Sequence, residues 1–279
     1  MMGKLIRAEL YGILHGKLIW ILLSGALVSG FLIPSIYFLM FRFFDFLTES
    51  AAGIMVSEDI ARLTAAVSGL KDMMNTDAVF LTSVPFTNGY GLFIVGAVSF
   101  FSARQFSNGI IRNKIIAGHS RSGVLAAMCV SSLFISLPSA LVYTLSSALG
   151  SRLIYGEFNS IRGADLFRMT VLIMFIYLFY SVMPVAVSFM VKSIPKSMII
   201  SLVFPMAVGA LLSLIATAAG SLPDVVTYFL CALPSFQVSA LTVAAGSDAF
   251  LAIALVADAA LAAALAAGAN LYFRKNDLK

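Results

Sequence analysis

Charge is what this 279-residue chain has least of: 11% of its residues are Asp, Glu, Lys or Arg, while 61% are hydrophobic and 23 are phenylalanine. With a mean hydropathy of +1.00, that excludes an ordinary soluble domain and places the chain in the polytopic membrane class. Histidine is almost absent. The two that exist, His15 and His119, sit in no H-E-x-x-H pattern and cannot build a zinc protease. "HSRSG" at 119–123 lacks the G-x-S-x-G order, and no histidine lies at membrane depth to serve a serine nucleophile. Nor is there a G-x-x-x-x-G-K-[ST] loop, so ATP is not bound here by that route. Cysteine occurs twice, as Cys129 and Cys231; their expected depths differ, which predicts no disulfide between them.

What is present is long apolar runs. About 20 residues at 1.5 Å rise cross the hydrocarbon layer, and six segments qualify: 18–41, 84–103, 123–149, 169–191, 198–219 and 249–273. Pro34, Pro138, Pro184 and Pro205 fall inside them, where neighbouring helices can compensate the break and a kink can shape a pathway. Lys4, Arg7, Glu9 and Lys17 precede the first run without a small-residue cleavage pattern, so it is expected to be a retained span rather than a signal peptide.

The charges that do occur are sorted by side. Lys4, Arg7, Lys17, Arg104, Arg112, Lys114, Arg121, Lys192, Lys196, Arg274, Lys275 and Lys279 lie on one side; Arg42, Arg62, Lys71, Arg152, Arg162 and Arg168 lie on the other. Acidic residues favour the second side, leaving Glu9 and Asp277 on the first and Asp258 inside a span. The positive-inside rule therefore predicts six spans with both termini and residues 104–121 in the cytoplasm. The net charge of +5 follows this topology and implies no nucleic-acid partner.

Three pieces do not span. Residues 3–17, "GKLIRAELYGILHGK", place Ile6, Leu10, Ile13 and Leu14 on one helical face and Lys4, Arg7, Tyr11 and His15 largely on the other, as a helix lying in the interface would. Residues 42–83 form a long outer segment with helical character in "EDIARLTAAVSGLKDMM". Residues 221–247 are too apolar for an ordinary loop, and Pro223 and Pro234 break them into pieces too short to span. A re-entrant or interfacial helix pair fits there. The expected fold class is thus all-α, a single transmembrane domain over residues 1–279.

Two features invite a functional reading. Asp258, in "LVADAALAAALAAGAN", is expensive in lipid and should face protein or water; a helix–helix hydrogen bond and a place on a transport pathway both remain open. The scattered hydroxyls Ser131, Ser132, Ser136, Ser139, Thr144, Ser188 and Ser201 suit an amphiphilic cargo better than an ion, though such serines commonly bond to their own backbone. The second feature is "SARQFSNGIIRNKIIAGHSRSG" at 102–123, which carries four Lys/Arg and no acid. A loop that only holds charge outside the membrane has no need of Ile110, Ile111, Ile115 and Ile116, which favours a docking element.

The arrangement resembles the permease subunit of bacterial ABC-2 type exporters. The resemblance is carried by "LIRAELYGILHGKLIW" before the first span, by "F-S-x-R-Q-F-S-N-G-I-I-R-N-K" closing the second, and by "G-H-S-R-S-G-V-L-A-A" opening the third. Asn108, Gly109, Ile110, Ile111 and Arg112, with Ser120 and Arg121, fit the family pattern; Arg104-Gln105 stand where that family commonly has an acid. The resemblance implies that 104–121 is a coupling region contacting a separate ATPase subunit through Arg104, Asn108, Gly109, Ile110, Ile111, Arg112, Lys114, Ser120 and Arg121. It further implies ATP and Mg on that partner and no cofactor on this chain. A second permease copy or paralogue would complete a unit in a bacterial cell membrane, exporting an antimicrobial peptide, a lantibiotic or another amphiphile. A non-transporting scaffold or sensor is the alternative. An enzyme of the membrane interior lacks its residues.

The topology is checked by single-cysteine labelling of intact cells. Ser107→Cys and Asn276→Cys should stay unlabelled from outside, while Ser57→Cys and Ser160→Cys react. Strong labelling at 107 would invert the arrangement.

Overall fold

The computed structural model describes residues 2–51, 65, 75–83, 90–218, 226, 229–230, 232–239, 241 and 246–275. Their elements are helices: α1 (Met2–His15), α2 (Lys17–Ala51), α3 (Thr76–Ser83), α4 (Tyr90–Ser107), α5 (Ile110–Ile116), α6 (Arg121–Tyr155), α7 (Gly163–Val191), α8 (Ile194–Ala218), α9 (Pro234–Ser239) and α10 (Asp248–Lys275). Five stretches are long and apolar enough to cross a membrane: Lys17–Leu47, Arg121–Tyr155, Gly163–Val191, Ile194–Leu212 and Asp248–Lys275. The chain is an all-α, multi-pass membrane protein. The segment expected at 84–103 is represented by α4, which is not among the five; residues 84–89 lie outside the described residues, as does most of the helix expected at 58–74.

Helix is the only open choice for such runs, because lipid offers no partner to a backbone N–H or C=O. The helices continue through Pro34, Pro138, Pro184 and Pro205. α6 and α7 form the centre, with 56% and 61% of their apolar spans buried, against 17% for α8 and α10. α2 lies along α6, α10 along α7, and α8 against α4 and α7. α4 is wrapped by α6, α7 and α8 and buries Ser99, Ser102 and Gln105 as well as Ile94, Val95 and Val98. The outer helices present Ile21, Leu27, Phe43, Leu211, Leu214 and Val256 outward. That much contiguous apolar surface is stable only against an apolar solvent.

Between helices that both prefer lipid, close approach and hydrogen bonding replace the hydrophobic effect as the source of adhesion. Ala26 and Gly30 of α2 meet Ser146 and Gly150 of α6; each pair is four residues apart and therefore on one face. Ser146 donates to the Ala26 carbonyl at 3.2 Å. Some serines in the spans act within this packing, while Ser131 and Ser201 are buried with no hydrogen-bond partner among the described residues. Ser136 bonds Ser181 across α6 and α7, and Ser197 of α8 links Ser99 of α4 (3.0 Å) with Ser188 of α7 (2.7 Å). Ser132, Ser139 and Thr144 donate to carbonyls of their own helix. Of these, the hydroxyls of Ser99, Ser136, Ser181, Ser188 and Ser197 join neighbouring helices.

α2 and α6 have 35 residues each, roughly 50 Å at 1.5 Å per residue, and so outrun a hydrocarbon layer of about 30 Å. At their far end α3 closes the bundle. Tyr143 donates to the Ser83 carbonyl at 2.6 Å, Asp77 accepts from the Ser160 N–H at 2.6 Å, and Phe80 meets Phe158 edge-on at 5.7 Å.

The α2–α6 contact is testable. A methyl group on Gly30 would sit 1.9 Å from Ser146 Oγ and 2.9 Å from the Ser147 backbone nitrogen, whereas one on Gly12 would meet open space. Gly30→Ala should lower unfolding stability in mixed micelles by about 1–3 kcal/mol. Gly12→Ala should be neutral or slightly stabilising. Equal stability of the two variants would contradict the close approach.

Candidate functional site

The segment between α4 and α6 folds into α5, a two-turn helix set off by glycines. Gly109 has φ of +67°, a left-handed backbone that a side chain resists. It ends α4 and accepts the first α5 hydrogen bond, from Asn113 N–H at 3.0 Å. At the other end Gly118 has φ of +89°. Its N–H bonds the Ile115 carbonyl at 3.0 Å and that of His119 bonds the Lys114 carbonyl at 3.2 Å, the paired closure by which a glycine stops a helix. Ser120 then caps α6, its Oγ accepting from Gly123 N–H at 3.1 Å.

One face of α5 is committed inward. Ile111 is fully buried and Ile115 packs against the core. Lys114 forms an ion pair with Glu9 of α1 and donates to Gln105 Oε1 at 2.5 Å; Gln105 Nε2 donates to Glu9 Oε2 at 3.2 Å. Three elements therefore meet in one closed polar cluster. The Lys114 and Glu9 side chains are 14% and 12% exposed, so water screens the pair little, and either charge alone would be left without its partner in a poorly solvated place. Gln105, at 6% exposure, completes both. Lys114 thus serves inside the molecule, while the sequence reading had set it toward a partner. Glu9 and Gln105 were not singled out as a pair. The signal was there: Glu9 is a rare acid on the basic side, and Gln105 directly follows Arg104.

The other face is open. Ile110, Arg112, Asn113 and Ile116 are exposed, Ile116 at 73%, as are Arg104 and Asn108. Arg121 is held differently. It donates to the carbonyls of Phe273 (3.0 Å) and Arg274 (3.2 Å) and lies over the Phe273 ring at 5.8 Å. A cation there meets the negative end of the α10 dipole. Phe273 in turn packs edge-on with Phe189 at 4.8 Å, and Phe189 with Phe106 at 4.8 Å. The ends of α4, α7 and α10 are thereby joined to one another.

Beside this assembly a cleft of about 780 Å³ opens between the first turns of α6 and the last turns of α10. Leu5, Leu125, Cys129 and Ala266 give it apolar walls, and His119 and Asn270 supply polar atoms. Cys129 is a free thiol; Cys231 lies outside the described residues. Among the described residues no three His, Cys, Asp or Glu side chains come together as a metal site would require.

Asp258 lies apart from all of this, on the buried face of α10 between Ala254 and Ala262. It is fully buried and accepts from Gln237 Nε2 of α9 at 3.0 Å. Nearby, Tyr180 of α7 and Ser235 of α9 bond each other at 2.9 Å. Asp258 therefore faces protein, and its partner is a helix–helix contact that periodicity could not name.

No protein-family model, curated protein or solved structure matches the chain.

A double-mutant cycle measures the cluster. Glu9→Ala and Lys114→Ala should each destabilise the protein, and the double variant less than their sum, with a coupling of about 0.5–3 kcal/mol. Strict additivity in micelle unfolding would mean that the pair contributes nothing to holding α1 on α5.

Proposed function

We propose that this chain is the membrane-spanning permease subunit of an ATP-driven exporter of the ABC-2 type. It has six spans, with α4 as the second, and both termini and α5 in the cytoplasm of a bacterial cell. The observation that carries the reading is the two-faced build of α5. Its inner face is tied to α1 and α4 through Glu9, Lys114 and Gln105, while its outer face presents Ile110, Arg112 and Ile116. A solvated connector needs neither.

On this reading the outer face docks on a separate ATPase subunit, which holds ATP and Mg. Isoleucines make apolar knobs and Arg112 an edge charge, the usual division between the core and rim of an interface. A push on α5 passes to α1 and α4 through the polar cluster, to α6 through the four-residue link at 117–120, and from Arg121 to α10. The second copy or paralogue and the amphiphilic cargo come from the resemblance; the mostly apolar cleft with His119 and Asn270 is in keeping with such a cargo.

The test uses the exposed residues, so the fold is not at stake. Ile110→Asp with Ile116→Asp should abolish co-purification of an ATPase with the tagged chain from its native host, since losing apolar anchors costs about 1–4 kcal/mol. Arg112→Ala should weaken it less, because exposed ion pairs contribute about 0–1 kcal/mol. A double variant that inserts normally, keeps an ATPase and retains stimulated hydrolysis would leave α5 a mere topology loop.

A further inference from the structure

Asp258 presents an incomplete set of bonds. Its Oδ1 accepts from Gln237, itself fully buried, but Oδ2 is buried with no hydrogen-bond partner among the described residues. No Lys, Arg or His pairs with it among those residues. The titratable group beside it is Tyr180 of α7, whose hydroxyl is engaged with Ser235. From α9 come Ser235 and Gln237, which do not titrate, and no charged side chain of α6 acts on it. An ionised carboxylate left this way would be a buried charge whose desolvation a single hydrogen bond does not offset. A proton on Oδ2 removes the charge and turns a lone acceptor into a donor.

We propose that Asp258 and Gln237 form a proton-binding site inside the membrane, which latches α9 onto α10 while the proton is bound. The carboxylate takes the proton from a hydronium ion, whose O–H bond breaks to leave water as an O–H bond forms at Oδ2; nothing is oxidised or reduced. A planar amide that donates through its nitrogen to one carboxyl oxygen accepts through its carbonyl from the other, so the protonated pair closes as a ring of two hydrogen bonds. The latch matters because α9 is joined directly to α10 by the Asp258–Gln237 bond, beside its Tyr180–Ser235 bond to α7. Its apolar anchor is a small cluster, Leu230 and Phe236 packed by Leu212, Leu233 and Phe250, separate from the main core. Raising the pH until the proton leaves puts a bare charge into this contact and frees α9. The site stands whether or not the chain transports anything.

Two measurements on the full chain in lipid vesicles decide it. The infrared spectrum of wild type minus Asp258→Asn should show the C=O band of a protonated carboxylic acid at neutral pH, shifted in D2O and lost at alkaline pH. A carboxylate signature at neutral pH in its place would overturn the proton. Hydrogen exchange over residues 229–239 tests the latch. Asp258→Asn, which keeps the shape and hydrogen bonds of the protonated acid, should stay protected at every pH. The wild type should lose protection about tenfold relative to that variant as the carboxyl band disappears. Identical exchange of the two at alkaline pH would reduce the pair to a plain packing contact. Asp258→Ala should exchange fast throughout; should it fail to insert, the comparison of wild type with Asp258→Asn is decisive by itself.

Discussion

Where lipid replaces water, a polar group has no partner except another part of the protein. That constraint accounts for more of this molecule than any single contact. It makes every apolar run a helix, since only a helix closes its own backbone bonds. It sends serine hydroxyls back to carbonyls one turn away or across to a serine on the next helix. It draws Asp258 to the covered face of α10 and onto Gln237. It also leaves the charged residues mainly at the helix ends, where Arg121 meets the last carbonyls of α10.

The same constraint gives the α5 end its character. Glu9, Gln105 and Lys114 sit where the bundle stops, shielded enough that each needs the others. Their closed cluster holds a surface helix to the helices it would have to move. From α4, Phe106 goes on to Phe189 and Phe273 and so ties in the ends of α7 and α10 by ring edges. The polar cluster and the burial of Ile111 hold α5 to α1 and the bundle.

Asp258 belongs to the opposite logic. It is far from the charged ends and joined to a short segment with a small apolar anchor of its own. Interactions in such a place are easily outweighed, so a single proton can have a large effect. A bundle of this kind is stiff where helices cross closely, as at Gly30 and Gly150.

The membrane class, the helical character and the location of most spans were legible in residue order alone, because length and hydropathy are sums along the chain. Residues 110–116 could be read as a helix from the glycines at 109 and 118 and the isoleucines between. Which isoleucine faces inward could not, since Ile110, Ile111, Ile115 and Ile116 fall all around so short a helix. Tertiary structure alone decided that Ile111 and Ile115 go in and Ile110 and Ile116 stay out. It alone brought Glu9 to Lys114 and Gln237 to Asp258. A hydrophobic pattern specifies a face relative to a helix's own axis, whereas a hydrogen-bond partner is specified by how two axes meet. In a helix apolar all round, as most of these are, the pattern marks no face, and only packing chooses one.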